Sequence, residues 1–426
     1  MNPAIEKYKF YYYIFITCLT IQCYWGFMQE EILPFIESIK SYLFLLSDMG
    51  FLMLGVATLR KRSDKIMIIS FVLLMIASKY INNIPISSSI NGSRDFWSLI
   101  FIVPFIRYYL VDEERRNFFI SKLDKFILIF LIVQIPVATY QCLLYGPHDR
   151  VGGTMGDGYS GILSTLLYLL TFYLLQKKIA GRNTLIALSE NWYYFLFLIP
   201  SMLNETKASF IFLILMIISF LKMDRRIVLR VVIATPIIIL IVLPIITTVY
   251  FSVTNTTDNI FSLEYYTEMY LLNDESVAWA LSDDVDAEGQ DIPRFTKVVA
   301  GWEILDEDNA FLLGKGVGLF KGKTMGIVPQ IPFAVEYEWL LRGSVIMFFA
   351  LIMQLGFLGI AWYIAHFIVN SPNMRKFEDI NINLYFFLFA VFLFLMVYNN
   401  SLFLPCFAVF FLYLLLISNY PVTKTE

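Results

Sequence analysis

Stretches of roughly sixteen to thirty residues with almost no charge follow one another from residue 10 to residue 419, each near the length that crosses a hydrocarbon core about 30 Å thick. Nothing constrains the chain more. At 58% apolar and 17% aromatic, with mean hydropathy +0.67 over 426 residues, it holds more apolar surface than a water-soluble core can enclose, so the bilayer has to be the solvent for most of it. Twelve candidate spans emerge, at 10–28, 39–59, 65–81, 96–111, 126–145, 159–176, 187–203, 207–222, 227–250, 340–369, 383–398 and 401–419. Several are short or polar-ended, which leaves ten to twelve. The expected fold is all-α: a polytopic membrane protein of about 12 transmembrane helices. Cys18, Cys23, Cys142 and Cys406 lie in or beside apolar runs without metal-ligand spacing and read as small core residues. Lys7 and Lys9 precede an apolar run with no small-residue cleavage site, so the first span is expected to stay.

Orientation follows from the connections. One alternate set carries Lys7/Lys9, Arg60/Lys61/Arg62/Lys65, Arg115/Arg116/Lys122/Lys125, Lys177/Lys178/Arg182, Lys222/Arg225/Arg226/Arg230 and Arg375/Lys376. The positive-inside rule makes these cytoplasmic, with both termini inside and the other connections outside. Three parts result: a membrane part of about nine spans over 1–250, a large outer loop over 251–337, and about three spans over 338–426. The outer loop holds fifteen carboxylates against five cations. It has apolar residues at helical spacing over 259–272 and again over 294–306, which predicts two helices lying on the membrane part.

Four outward places hold polar groups out of keeping with their surroundings. In 145–158, five glycines let backbone amides approach an anion, and Arg150 adds a forked donor beside His148; a flexible turn with solvated charges is the alternative. Lys207, in Asn204-Glu-Thr-Lys-Ala-Ser209, sits either at a cavity mouth or as a snorkelling cation in a plain hairpin. Arg294 and Lys297 are spaced i, i+3 on one helix face, which suits gripping a pyrophosphate or a solvated ion-pair face. Glu336 and Glu338 stand at the lip of a span, where apolar walls would disfavour the charged form and prepare a general base. The glycines of Gly314-Lys-Gly-Val-Gly318 do not follow a strand and precede a helix, so they carry no dinucleotide reading.

In order, Arg150-Val-Gly-Gly-Thr-Met, Thr206-Lys-Ala-Ser-Phe, Arg294 to Leu305 and Leu313-Gly-Lys-Gly-Val-Gly-Leu-Phe resemble the motifs of the O-antigen polymerase and ligase superfamily of bacterial envelope polysaccharide synthesis. Architecture and motif order together span about two thirds of the chain. The ligase branch usually has a His-Asn type motif where the outer loop returns to the membrane; here Glu336-Tyr-Glu338 stands there, and Lys207 takes a position usually held by arginine. Those departures favour a polymerase of O-antigen, capsule or exopolysaccharide repeat units over a ligase. The resemblance implies a GT-C-like membrane glycosyltransferase in the bacterial cytoplasmic membrane, needing no cofactor and no metal. Its donor and acceptor would both be undecaprenyl-diphosphate-linked oligosaccharides, with a chain-length regulator as a possible partner and no nucleic acid. Arg150, Lys207, Arg294 and Lys297 would hold the pyrophosphate, and Glu336, Glu338 or His148 would take the proton of the attacking hydroxyl. A flippase of the same lipid-linked units is the rival from another class; it predicts charges along a central path and matched repeats, and no repeat is visible.

Overall fold

The computed structural model describes residues 3–32, 37–180, 182–204, 206, 208–220, 294–321, 331–341, 343, 345–372 and 381–420. Helices dominate them, and no strand occurs among the described residues. In chain order they are α1 (Pro3–Phe27), α2 (Glu37–Thr58), α3 (Arg62–Ile81), α4 (Ile86–Leu110), α5 (Glu113–Tyr145), α6 (Ser160–Ile179), α7 (Thr184–Glu190), α8 (Ile199–Leu203), α9 (Ala208–Phe220), α10 (Arg294–Glu307), α11 (Pro332–Glu336), α12 (Glu338–Leu341), α13 (Met347–Asn370), α14 (Ile382–Tyr398) and α15 (Pro405–Ile417). Short turns of tighter helix cover Gly153–Met155, Trp192–Leu198 and Ser401–Phe403. Among the described residues, four stretches are long and apolar enough to cross a membrane: Ile39–Thr58, Glu113–Tyr145, Ser160–Ile179 and Met347–Asn370. The protein is therefore helical and built for association with a membrane.

Several boundaries differ from the sequence expectation. The start of α4, at Ile86, lies ten residues before the expected 96. Its opening Ser-Ser-Ser-Ile-Asn-Gly-Ser reads as a polar connection, yet Ser88, Ser89, Asn91 and Ser93 are buried against neighbouring elements. The expected span 187–203 is broken into α7, a tighter turn and α8, and α13 begins at Met347 rather than 340. The expected helix over 294–306 is α10. The expected span 227–250 and helix 259–272 lie outside the described residues.

Local sequence sets these limits. In α5, Asp112 accepts a hydrogen bond from the Arg115 backbone N–H at 3.1 Å, Glu113 and Glu114 complement the positive helix end, and Gly146 at φ 76° closes the far end. Its 33 residues make a rod of about 50 Å, whose two ends therefore mark opposite faces of the bundle. Helix α4 packs against α2, α3, α5 and α15, and α15, apolar on every side, is buried from Cys406 to Leu416. Rings interlock where α1, α4 and α5 meet: Phe15 stacks on Phe105 at 4.9 Å, and Tyr109 on Phe119 at 4.6 Å.

Helix α13 is two helices joined at Gly356, whose φ 62° and ψ −160° belong to glycine. The break frees backbone groups, and the stretch after α10 takes them up. Lys315 and Gly316 N–H donate to the Met353 and Gln354 carbonyls at 2.7 and 3.1 Å, while Phe357 and Leu358 N–H donate to Phe311 and Leu312 at 2.8 and 3.2 Å. Gln354 Oε1 accepts from Gly318 N–H at 3.0 Å. The Gly-x-Gly-x-Gly run thus serves close backbone approach: a Cβ on Gly316 or Gly318 would meet Ile84 or the Ser88 carbonyl within 3 Å. Gly356→Ala would force an L-residue into a glycine-only region and put its Cβ 2.4 Å from the Phe311 carbonyl oxygen. We expect it to cost about 3 kcal/mol, read as a lower thermal unfolding midpoint of the detergent-purified protein; an unchanged midpoint would contradict this account of the break.

Candidate functional site

The glycine-rich loop between α5 and α6 is bolted down over 151–156 rather than flexible. Gln134 and Gln141, seven residues apart on one face of α5, hold it. Gly153 N–H donates to Gln141 Oε1 at 2.8 Å, and Gln141 Nε2 returns a bond to the Gly153 carbonyl at 3.1 Å. Thr154 N–H donates to Gln134 Oε1 at 2.9 Å, and Gln134 Nε2 donates to Thr154 Oγ1 at 2.7 Å, whose own proton goes to the Cys23 carbonyl at 2.7 Å. Gly26 of α1 lies so close that a Cβ there would fall 1.8 Å from the Met155 carbonyl oxygen. Beyond the loop, Glu30 accepts from Asp157 N–H at 2.7 Å. Loss of solvent raises the Glu30 carboxyl above the usual glutamate range, against the opposing pull of that N–H and of Lys40.

The loop delivers the chain to the start of α6, and four other segments meet there. Ser160 Oγ donates to Asp149 Oδ1 at 3.1 Å. Asn204 Nδ2 donates to the Ser160 carbonyl at 3.1 Å and to Ser164 Oγ at 3.0 Å, and Asn204 Oδ1 accepts from Thr206 N–H at 3.2 Å. The segment leading to Lys207 is thereby fixed beside α6. Arg294 of α10 donates to the Tyr398 carbonyl at 2.6 Å and lies 4.9 Å from the centre of the Tyr398 ring, and the Tyr398 hydroxyl reaches to 3.3 Å from where a Gly161 Cβ would stand. Tyr159 lies within electrostatic reach of Glu30 and Asp95. No side chain caps α6. Its first amides and the positive end of its dipole form a natural anion seat. Nearby, the buried Thr206 hydroxyl has no hydrogen-bond partner among the described residues, and neither do Trp25 Nε1 and Gln29 Oε1 at the end of α1. Buried polar atoms left this way are uncommon and often mark water or ligand.

The expected site residues divide. Arg150, with 61% of its side chain exposed, has its guanidinium 3.9 Å from Asp157 in a cavity of about 110 Å³ shared with Glu30, Glu31 and Tyr145. One guanidinium faces three carboxylates there, so an anion can be held by Arg150 only in exchange for a carboxylate. His148 is exposed, and its Nδ1 accepts from Arg150 N–H at 3.3 Å. Lys297 is buried one turn from Arg294, whereas Glu303, Asp306 and Glu307 on the same helix are exposed. Gly301 seats α10 against Phe349 and Met353 of α13. Glu336 and Glu338 are both exposed, so among the described residues the expected apolar walls do not enclose them; the buried residues of that stretch are Ala334 and Leu340. α12, which begins at Glu338, does pack against α10. Lys207 lies outside the described residues.

Sequence reasoning missed a charged cluster one layer deeper. Arg94 of α4 makes a forked contact with Asp48 Oδ2 of α2, at 3.0 Å from Nε and 2.7 Å from Nη2, and bonds Asn91 Oδ1 at 3.1 Å. Gln22 of α1 donates to Asp48 Oδ1 at 3.2 Å. Lys321, from the chain that follows the glycine run, pairs with Asp95 at 2.5 Å. Asp48 lies inside the expected span 39–59, whereas Arg94 and Asp95 fall between the expected spans 65–81 and 96–111, because the polar start of α4 hides the helix. No family model matches the chain, and no curated protein does. Asp48→Leu should strand the mostly buried Arg94 and lower stability by about 3 kcal/mol or more, whereas Asp48→Leu with Arg94→Met should recover much of that loss. Thermal unfolding of the two variants in detergent checks this; a double variant no better than the single would remove the pair as the cause.

Proposed function

We propose that the protein is a polymerase of lipid-linked polysaccharide repeat units, working at the membrane face that carries the start of α6. The observation that carries this reading is a convergence. The segments bearing the motif order, around Arg150, Thr206 and Arg294, come from distant parts of the chain and meet around one uncapped helix start. A scaffold or plain hairpin arrangement has no reason to gather them. The orphaned polar atoms of Thr206, Trp25 and Gln29 add support for a place that holds more than packed side chains.

In this reading about twelve spans carry the acidic loop 251–337 on the outer side, with both termini in the cytoplasm of a bacterial cell. The diphosphate of one undecaprenyl-diphosphate-linked glycan sits at the α6 amides, with Arg150, Lys207 and Arg294 around it and Lys297 behind. The terminal hydroxyl oxygen of a second lipid-linked unit attacks the anomeric carbon. The bond from that carbon to the diphosphate oxygen breaks, its electron pair leaves with the lipid diphosphate, and the hydroxyl proton passes to Glu336, Glu338 or His148. Helix dipole and cations stabilise the charge that grows on the leaving oxygen. Exposure suits Glu336, Glu338 and His148 to meet a glycan from solvent.

A ligase uses the same site with a different acceptor. A flippase draws on other observations: a helix broken at Gly356, and a buried ion pair between α2 and α4, are devices that transporters use in central sites. Deleting the gene and examining lipid-linked glycan on a gel separates the three. Single repeat units should accumulate; full-length chains left on the carrier would indicate a ligase, and units trapped on the cytoplasmic leaflet a flippase. In complementation, Arg294→Ala should slow polymer formation on the order of 10²-fold, and full-length chains at normal rate would exclude that residue from the pyrophosphate site. A cysteine introduced in 274–288 should label from outside in intact cells.

A further inference from the structure

At the end of the helices opposite the glycine-rich loop, a cavity of about 770 Å³ opens between the ends of α2, α4, α13 and α15 and the starts of α3 and α5. Among the described residues, four cations line it, Arg60, Lys61, Arg107 and Arg115, against the single carboxylate Asp64. Asp64 is already committed: it pairs with Arg107, which also donates to Asn370 Oδ1 at 2.8 Å and the Val369 carbonyl at 3.3 Å. Arg115 lies 3.7 Å from Asp112, and both Arg115 and Arg60 lie over the Tyr108 ring, at 4.5 and 5.4 Å. Among the described residues Arg60 and Lys61 have no ion-pair partner. Loss of solvent, and then the Arg107 charge, push Lys61 below the usual lysine range, as expected where positive charge is left uncompensated. The remaining wall is mixed, with apolar Pro104, Leu110 and Leu416 beside polar Thr58, Ser371 and Asn419. Val111, also in the lining, is 79% exposed at the rim.

We propose that this cavity is a binding site for a phosphate group, carried on an anionic lipid headgroup or free in solution. A phosphate would satisfy Arg60, Lys61 and Arg115 together without disturbing the Arg107–Asp64 pair. A basic pocket between helix ends, with apolar side chains in its wall and at its rim, matches what a lipid headgroup requires. The site is remote from the α6 start and stands whether or not the glycan reading holds.

The test uses full-length protein stripped of lipid in detergent, with thermal shift and native mass spectrometry against phosphatidylglycerol, phosphatidylcholine and inorganic pyrophosphate. The Arg60→Gln/Lys61→Gln variant removes two cations that form no ion pair among the described residues. Lys122→Gln/Lys125→Gln, exposed on α5 outside the cavity, controls for general charge loss. Preference for phosphatidylglycerol over phosphatidylcholine, weakened roughly tenfold or more in the first variant and kept in the second, assigns a headgroup site. A pyrophosphate response lost only in the first variant, without lipid preference, assigns a free phosphate. No response to either anion, or equal responses in all three proteins, overturns the proposal. Should the double variant unfold, Lys61→Gln alone carries the comparison.

Discussion

Inside a bilayer every backbone N–H and C=O must find a partner within the protein, and the helix breaks among the described residues are shaped by that demand. Two breaks matter most. At Gly356 the freed amides and carbonyls of α13 are taken up by the backbone of 311–316, so a stretch between α10 and α11 becomes part of the helical body. At Gly152–Gly156 the side chains of Gln134 and Gln141 do the same work for the loop before α6. Glycine serves these breaks in two ways: Gly356 supplies a backbone conformation, while Gly26 and Gly92 in the facing helices leave room for the backbone of Met155 and Gly318.

These repairs position the candidate site. With the loop pinned from below by α5 and from the side by α1, the chain enters α6 in one orientation, leaving its first turn uncapped toward Asp149, Asn204 and Tyr398. The break in α13 has a parallel effect on α10. By holding 311–318, it fixes the helix before that stretch against Phe349 and Met353, which places Arg294 at the end of α14. The two irregular segments therefore act together, although they are far apart in sequence.

Helical periodicity and apolar length made α1, α2, α5, α13 and α14 legible, because a lipid-exposed or buried apolar helix announces itself by composition alone. The helix α10 was legible for a different reason, an apolar stripe in an acidic setting. The start of α4 was not: serine, asparagine and glycine there look like a solvent-exposed turn, and only their burial against 316–318 and α2 shows otherwise. Arg94 disappeared with that misreading. Glu336 and Glu338 illustrate the opposite error. Their neighbours in sequence are apolar, but in α11 and α12 Ala334 and Leu340 turn inward while Val335 stays exposed with the carboxylates, a distinction that composition does not carry. Gln134 and Gln141 are polar residues on an apolar helix seven apart, a signal present in the sequence and passed over.

Charge around the α6 start is compensated locally. Arg150 stands near Asp157, Lys321 is paired with Asp95, and Arg94 with Asp48. A bare cation is costly where it is mostly buried, as Arg94 is, and costs little where it is exposed, as Arg150 is, so an empty diphosphate site needs resting partners chiefly for its buried cations. Exchange offers a way out. A diphosphate that displaces Asp157 from Arg150 leaves the guanidinium paired before and after, while the released carboxylate, 60% exposed, returns to water at little cost. Under the polymerase reading, the acidic residues around the site are then its resting partners rather than obstacles to an anionic substrate, and the same exchange would help release the lipid diphosphate once the glycan has left it.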